Sequence, residues 1–81
     1  MKANSYKYRG YYYINSNTRN IDPLFSNNLK KLCSDLYQIC KGYNTANFHW
    51  YIVDNEGNKT TGGQQVNNTY HRLTKQELID F

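Results

Sequence analysis

The sequence predicts an α+β fold in which one long amphipathic helix packs on one face of a three- to four-stranded antiparallel sheet. Two observations predict it: apolar residues recur at helical spacing over residues 23–41, and aromatic and β-branched residues fill a strand-like run at 48–53. A chain of 81 residues has the size of one small domain, so residues 1–81 are expected to fold as a single unit. The expected order of elements is β-α-β-β-(β)-α.

The first expected element is an aromatic strand at residues 5–14, because tyrosine favours strands. Gly10 interrupts this run, as a bulge would. If Gly10 keeps the alternation of a strand, one face carries Tyr6, Tyr8, Tyr12 and Ile14, and the other carries Lys7, Arg9, Tyr11 and Tyr13. The second face is then basic and aromatic together.

The long helix is expected to begin at Asp22-Pro23, because Asp caps free backbone N–H groups and Pro has no N–H to lose there. Gly42 is expected as its left-handed C-cap. The predicted buried stripe comprises Phe25, Leu29, Leu32, Cys33, Leu36 and Cys40. Its two cysteines lie about 10 Å apart along a helix axis, which is too far for a disulfide. They are expected as small buried groups in a reducing compartment.

The run at 48–53 predicts a central strand, since both of its faces are largely apolar. Alternation assigns Phe48, Trp50 and Ile52 to the helix side, and His49, Tyr51 and Val53 to the other. Residues 54–58 follow as a hairpin loop in which Gly57 supplies a positive φ.

A strand is expected to return over residues 59–61 after that loop. Gly62-Gly63 then makes either a bulge or a second tight turn, and the sequence leaves both open. Thr74 and Glu77 have the spacing of a capping box, which predicts a short final helix.

The net charge of +4 is unevenly distributed along the chain. Residues 1–41 carry seven Lys or Arg against two Asp, whereas residues 42–81 carry three against four acidic residues. This asymmetry favours a polyanion or an acidic protein as the partner.

Several classes of function are unfavoured by the sequence. It has no apolar run of about 18 residues and no basic-then-apolar N-terminus, so we expect no membrane partner, no signal peptide and a cytoplasmic location. No phosphate-binding glycine loop, serine elbow or catalytic carboxylate pair is present. The two Cys and two His lack zinc-ligand spacing. We therefore expect no enzyme, no catalytic residues, no cofactor and no metal site.

The expected working surface is the N-terminal strand with the neighbouring sheet edge. Nine tyrosines exceed what so small a core can bury with every hydroxyl satisfied, so some are expected in one exposed patch. The alternative is that they simply cover the sheet. Lys7 and Arg9 are expected to supply charge, and Tyr11 and Tyr13 to anchor a partner. The full set of expected binding residues is Lys7, Tyr8, Arg9, Tyr11, Tyr13, Arg19, His49 and Tyr51.

Codon usage suggests where such a protein comes from. The chain contains 12 Asn, nine Tyr, seven Lys and five Ile, and the codons of all four residues are A/T-rich. Proteins of low-GC bacteria, their phages and their plasmids show the same preference. Small phage proteins often block a host machine by binding it. We therefore expect a non-catalytic inhibitory module that blocks a host nucleic-acid-handling or defence complex, for example a CRISPR effector as an anti-CRISPR would.

Two other functions stay open. The first is direct binding of single-stranded nucleic acid, because lysine or arginine and tyrosine together suit phosphates and unpaired bases. The second is a small endoribonuclease toxin with His49 or His71 as general base. A nucleotide is a further candidate partner. The chain is expected as a monomer or as a homodimer formed through an exposed strand edge beside Gly10.

Overall fold

The fold is α+β, as the sequence predicts. The computed structural model describes residues 6–14, 18–19 and 22–80, with the backbone alone at 18–19. In chain order the elements are β1 (Tyr8–Ile14), β2 (Thr18–Arg19), β3 (Leu24–Ser26), α1 (Leu29–Gly42), β4 (Phe48–Asp54), β5 (Lys59–Val66), β6 (Thr69–Arg72) and α2 (Lys75–Asp80).

The antiparallel sheet is larger than the three or four strands expected. Five strands lie in the order β2-β1-β4-β5-β6, and β3 also pairs with β1. The turn between β5 and β6 was not predicted; it uses Asn67 and Asn68, both at positive φ (51° and 67°). Asparagine tolerates this left-handed backbone, which two-residue hairpin turns require.

Strand β1 lies inside the sheet, which makes the expected open edge beside Gly10 wrong. Gly10 pairs with Ile52 of β4 on one side and with Leu24 of β3 on the other. The pairing of β1 with β4 is continuous, so Gly10 forms no bulge. A Cβ at Gly10 would lie 2.6 Å from Leu36 Cδ1, and its absence lets α1 pack closely on β1.

Helix α1 begins later than Asp22-Pro23, and that expected start is wrong. Leu24–Ser26 instead satisfies its backbone groups by pairing with β1. Asn28 is the N-cap, and its side-chain oxygen accepts a hydrogen bond of 3.1 Å from the Lys31 N–H. Phe25 therefore lies outside the helix, with its ring 5.6 Å from that of Tyr6.

The expected C-cap is also wrong, since Gly42 is the last residue of α1 rather than a left-handed cap. Tyr43 follows in a right-handed conformation, and Asn44 takes the positive φ of 54°.

The core lies between α1 and the central strands β1 and β4. Its fully or nearly fully buried side chains are Ile14, Leu32, Leu36, Cys40, Phe48, Trp50 and Ile52. The predicted helix-facing side of β4 is thereby confirmed. Both cysteines are free, as expected from their spacing. Burial raises the pKa of the Cys40 thiol to about 12, which keeps it protonated.

The hairpin between β4 and β5 forms as predicted. Gly57 has a φ of 87°, and the Asp54 carboxylate accepts hydrogen bonds of 2.9 Å from the backbone N–H groups of Asn58 and Glu56. These bonds, led by that of Asn58, lower the pKa of Asp54.

Gly62-Gly63 is neither a turn nor a bulge, because β5 runs straight through both residues. They point to opposite faces of the sheet. A Cβ at Gly63 would meet Trp50 and Tyr70 on the α1 side, whereas one at Gly62 would meet Leu73 and Leu78.

Helix α2 therefore packs on the face opposite α1, so the sheet carries a helix on each face, while the long helix lies on one face as expected. Its predicted capping box is confirmed. The Glu77 N–H donates to Thr74 Oγ1 (3.2 Å), and the Thr74 N–H donates to Glu77 Oε1 (2.9 Å). Across the described residues, neither helix is long and apolar enough to cross a bilayer.

Candidate binding surface

The sheet face opposite α1 is covered by α2 beside Gly62 of β5 and carries a row of aromatic side chains on β1 and β4. We call this face the open face. Antiparallel register places Tyr11 opposite Tyr51 and Tyr13 opposite His49. The assignment of these four residues to one face is confirmed. We call this group the aromatic ladder.

The rings of the aromatic ladder stack on one another. Ring centroids are 4.6 Å apart for Tyr13 and His49 (interplanar angle 17°) and 5.2 Å apart for Tyr11 and Tyr51 (23°). Tyr13 and Tyr51 are 6.3 Å apart along the diagonal, at 14°. Near-parallel rings this close contact through their faces, because rings lying flat beside each other would be farther apart. Their faces therefore partly cover one another.

Two cations flank the ladder on the same face. Lys59 Nζ lies 5.2 Å from the centroid of Tyr51, within cation–π range. Arg9 and Lys59 are both paired with Val53, from the two neighbouring strands. Positive charge therefore borders a buried valine and the Tyr11–Tyr51 pair.

Arg9 is half-buried at this position. Its Nε atom is inaccessible to solvent and has no hydrogen-bond partner among the described residues. A buried N–H donor without an acceptor is costly in a folded protein.

His49 is uncharged at neutral pH. Burial lowers its pKa below the usual 6.5, and the nearby Lys59 ammonium lowers it further. The neutral ring stacks on Tyr13 without adding charge to the face.

Two of the expected binding residues, Tyr8 and Lys7, are not brought to the ladder. Tyr8 lies on the α1 side of β1 and packs against the core. Lys7 is exposed at the start of β1, where its backbone N–H donates to Asn27 Oδ1 (2.9 Å). The backbone of Arg19 pairs with Tyr13, and its side chain lies outside the described residues.

Lys59 is the residue that the sequence interpretation missed. It begins the return strand, and a register shift between Ile52 and Val53 brings it opposite Val53. The only sequence signal is its position directly after the Gly57 turn, which places it beside the end of β4.

Only some of the tyrosines share one surface, as expected, but those that do are half-buried rather than exposed. Tyr11, Tyr13 and Tyr51 form the ladder with His49. Those packed against the core from the other side are Tyr8, Tyr12, Tyr37 and Tyr70. Tyr43 is 47 % exposed and lies close to Tyr12, with ring centroids 6.2 Å apart.

The second histidine is bound to α2. His71 Nε2 lies 3.0 Å from Glu77 Oε2, and His71 is separated from His49 by one strand residue, Gln64. Two strand spacings put the backbones of these histidines roughly 10 Å apart. Within the described ranges, no three His, Cys, Asp or Glu side chains group as metal ligands.

Comparisons of this chain with protein-family models, with curated proteins and with solved structures find no match. What the open face does is therefore inferred from its own geometry.

Proposed function

We propose that this protein is a non-catalytic binding module of a phage or other mobile element, which acts in the host cytoplasm. It blocks a host nucleic-acid-handling or defence complex, such as a CRISPR effector, by covering an acidic protein surface. The observation that carries the proposal is the aromatic ladder, stacked on the open face and bordered by Arg9 and Lys59.

The ladder is suited to a tight protein contact. Tyrosine gives a large contact area with little loss of side-chain freedom, and tyrosine and arginine are enriched at binding hot spots. Because each ring is already held by a stacked neighbour, few rotamers remain to be fixed on binding. Arg9 and Lys59 steer an acidic partner toward the rings.

The ring orientation favours a protein over single-stranded nucleic acid. Nucleic-acid platforms offer open ring faces on which bases stack. Here the Tyr13 and His49 faces cover each other, and Lys59 lies over Tyr51. The ring edges and hydroxyls suit hydrogen bonding to side chains and backbone instead.

Affinity purification from low-GC bacterial lysates, read by quantitative mass spectrometry, tests the protein partner. We expect one stoichiometric host complex on the wild-type protein, lost with Tyr13→Ala and with Lys59→Glu. Tyr43→Ala is the matched control, because Tyr43 is an exposed tyrosine outside the ladder. Retention of the complex by both ladder variants, each folded by circular dichroism, would refute the site.

Direct nucleic-acid binding is the second candidate, and the basic net charge supports it. Fluorescence anisotropy with labelled single-stranded DNA and RNA at low salt decides between the two. We expect no saturable binding. Binding that weakens steeply with salt and disappears with Arg9→Ala would replace the protein-blocking proposal.

The absence of catalysis is tested with labelled RNA and purified protein. We expect intact RNA after prolonged incubation. Cleavage that His49→Ala or His71→Ala abolishes would establish the ribonuclease alternative and refute a non-catalytic role.

A further inference from the structure

A surface pocket lies on the α1 side of the sheet, across the sheet from the aromatic ladder. It has a volume of about 340 Å³, within the range of small-molecule pockets. Six residues of α1, β4 and β6 line it: Cys33, Ser34, Tyr37, Trp50, Tyr70 and Arg72. We call it the helix-side pocket.

The walls of this pocket are aromatic. The Tyr37 and Tyr70 rings meet edge to face, with centroids 4.8 Å apart at 66°. Trp50 is 1 % exposed and is rigidly held in the core. A Cβ at Gly63 would collide with the Tyr70 hydroxyl and lie 2.7 Å from Trp50 Nε1, so only glycine allows this packing. The aromatic surface is therefore preformed.

Positive charge surrounds the pocket. Arg72 Cζ lies 5.3 Å from the Trp50 ring, and Arg72 Nε is held by a 3.2 Å hydrogen bond to the Gly62 carbonyl. Lys41 Nζ lies 5.9 Å from the Tyr37 ring centroid. Lys30 precedes Ser34 by one helical turn, on the same side of α1. None of the six lining residues is acidic.

The lining also offers hydrogen-bonding side chains. The Trp50 Nε1–H is buried beside the Tyr70 hydroxyl, with which it interacts, and is not itself open to a ligand. The Ser34, Tyr37 and Tyr70 hydroxyls and the Arg72 guanidinium all donate. A complementary ligand is planar and apolar in its body and carries an anionic group that accepts hydrogen bonds.

We propose that the helix-side pocket binds a nucleoside monophosphate, with the base against the aromatic walls and the phosphate toward Arg72. Arginine matches phosphate geometry with paired N–H donors, and aromatic rings suit a nucleobase. This site is independent of the aromatic ladder, which lies across the sheet.

The only tryptophan of the chain, Trp50, lies in this pocket, so its fluorescence reports occupancy. The protein is titrated with AMP, GMP, CMP and UMP, and separately with adenosine and with inorganic phosphate. We expect saturable quenching by at least one nucleotide, about tenfold tighter than by nucleoside or phosphate alone. No saturable change with any of the four nucleotides, or equal binding of phosphate alone, would overturn the proposal.

Two variants test whether the nucleotide binds in this pocket. Arg72→Ala is expected to weaken nucleotide binding about tenfold or more. Because Arg72 also bonds to Gly62 and Thr61, Ser34→Glu gives a second readout that keeps those bonds. It puts a negative charge on an exposed helical position of the lining and is expected to abolish binding.

Asn55→Glu is the matched control, since it adds the same charge on the exposed β4–β5 loop. It is expected to bind nucleotide like the wild-type protein. Wild-type affinity in folded Ser34→Glu, or binding of oligonucleotides but of no mononucleotide, would refute the pocket. Neither result bears on the ladder, because Tyr13→Ala is expected to leave this binding unchanged.

Discussion

The two faces of the sheet use the same two strands for opposite purposes. Toward α1, β4 presents Trp50 and Ile52 to a dry core, and β1 presents a glycine that lets the helix approach. On the open face, β1 and β4 present the half-buried rings of the aromatic ladder, which stack on one another. The core side and the proposed binding surface are thus separated by the two-residue period of a strand.

The neighbouring glycines of β5 extend this comparison. Gly63 faces the aromatic walls of the helix-side pocket, and Gly62 faces Leu73 and Leu78 on the other side. Each removes a side chain where a bulky group of another element must fit. Packing on the two faces therefore depends on two adjacent glycines, Gly63 on the α1 side and Gly62 on the open face.

The largest expected effect is on the α1 face. Leu36 is 0 % exposed, so Leu36→Ala is expected to lower the free energy of unfolding by about 2–5 kcal/mol. Urea denaturation followed by circular dichroism measures it. Tyr13→Ala is the open-face comparison, and an equal loss in that variant would contradict the division between faces.

The next largest loss of stability is expected when a methyl group is added to β5. In Gly62→Ala the new Cβ would lie 2.6 Å from the Trp50 carbonyl oxygen, a backbone atom that cannot move aside. We expect a loss of about 1–3 kcal/mol. Gly10→Ala is the control, because its nearest atom, Leu36 Cδ1, ends a flexible side chain. The prediction fails if Gly10→Ala destabilises the protein more than Gly62→Ala in the same urea assay.

The ladder itself is expected to contribute a smaller energy. A double-mutant cycle of Tyr13→Ala and His49→Ala should give a coupling of about 0.5–1.5 kcal/mol, because the two rings stack at 4.6 Å. Chemical denaturation of the four proteins measures it. A coupling indistinguishable from zero would show that the stacked pair contributes area but no specific interaction.

The smallest expected effect depends on pH. The folded pKa of His49 lies below its unfolded value near 6.5, so the unfolded chain takes up the proton first. The contribution of His49 is therefore complete above about pH 6.5 and decreases as the pH falls toward the folded pKa. Unfolding measured from pH 8 to pH 5 should show this decrease in the wild-type protein and a smaller one in His49→Phe. Identical profiles would contradict it.

Glu77 acts in a separate pH range. Its pKa is lowered first by the hydrogen bond from the Thr74 N–H and then by His71. Its contribution is present above its usual value near 4.5 and is lost as the pH falls below it. The two groups are therefore distinguishable in one titration.

Local signals in the sequence were sufficient for part of this picture. The central strand, its two faces, the Gly57 turn and the capping box of α2 all depend on residues close in the chain. The start of α1, in contrast, does not depend only on residues close in the chain. Asp22-Pro23 suits a helix start chemically, but pairing of Leu24–Ser26 with β1 decides the conformation, and that partner is far away in sequence.

The candidate site shows the same limit. Alternation along β1 and β4 places Tyr11, Tyr13, His49 and Tyr51 on one face without knowledge of their register. Lys59 joins them only because the pairing of β4 with β5 shifts by one residue, and no spacing in the sequence reveals such a shift. Gly62-Gly63 stayed undecided for a similar reason, since the groups they accommodate come from β4, β6 and α2.

The ladder joins the beginning of the chain to its middle, because Tyr11 meets a residue forty positions later, Tyr51. During synthesis the first tyrosines leave the ribosome well before β4 exists, while β4, β5 and β6 are linked only by short turns. A nascent or partly unfolded copy therefore has the rings but not their arrangement. Engagement of the proposed partner would then be restricted to finished molecules.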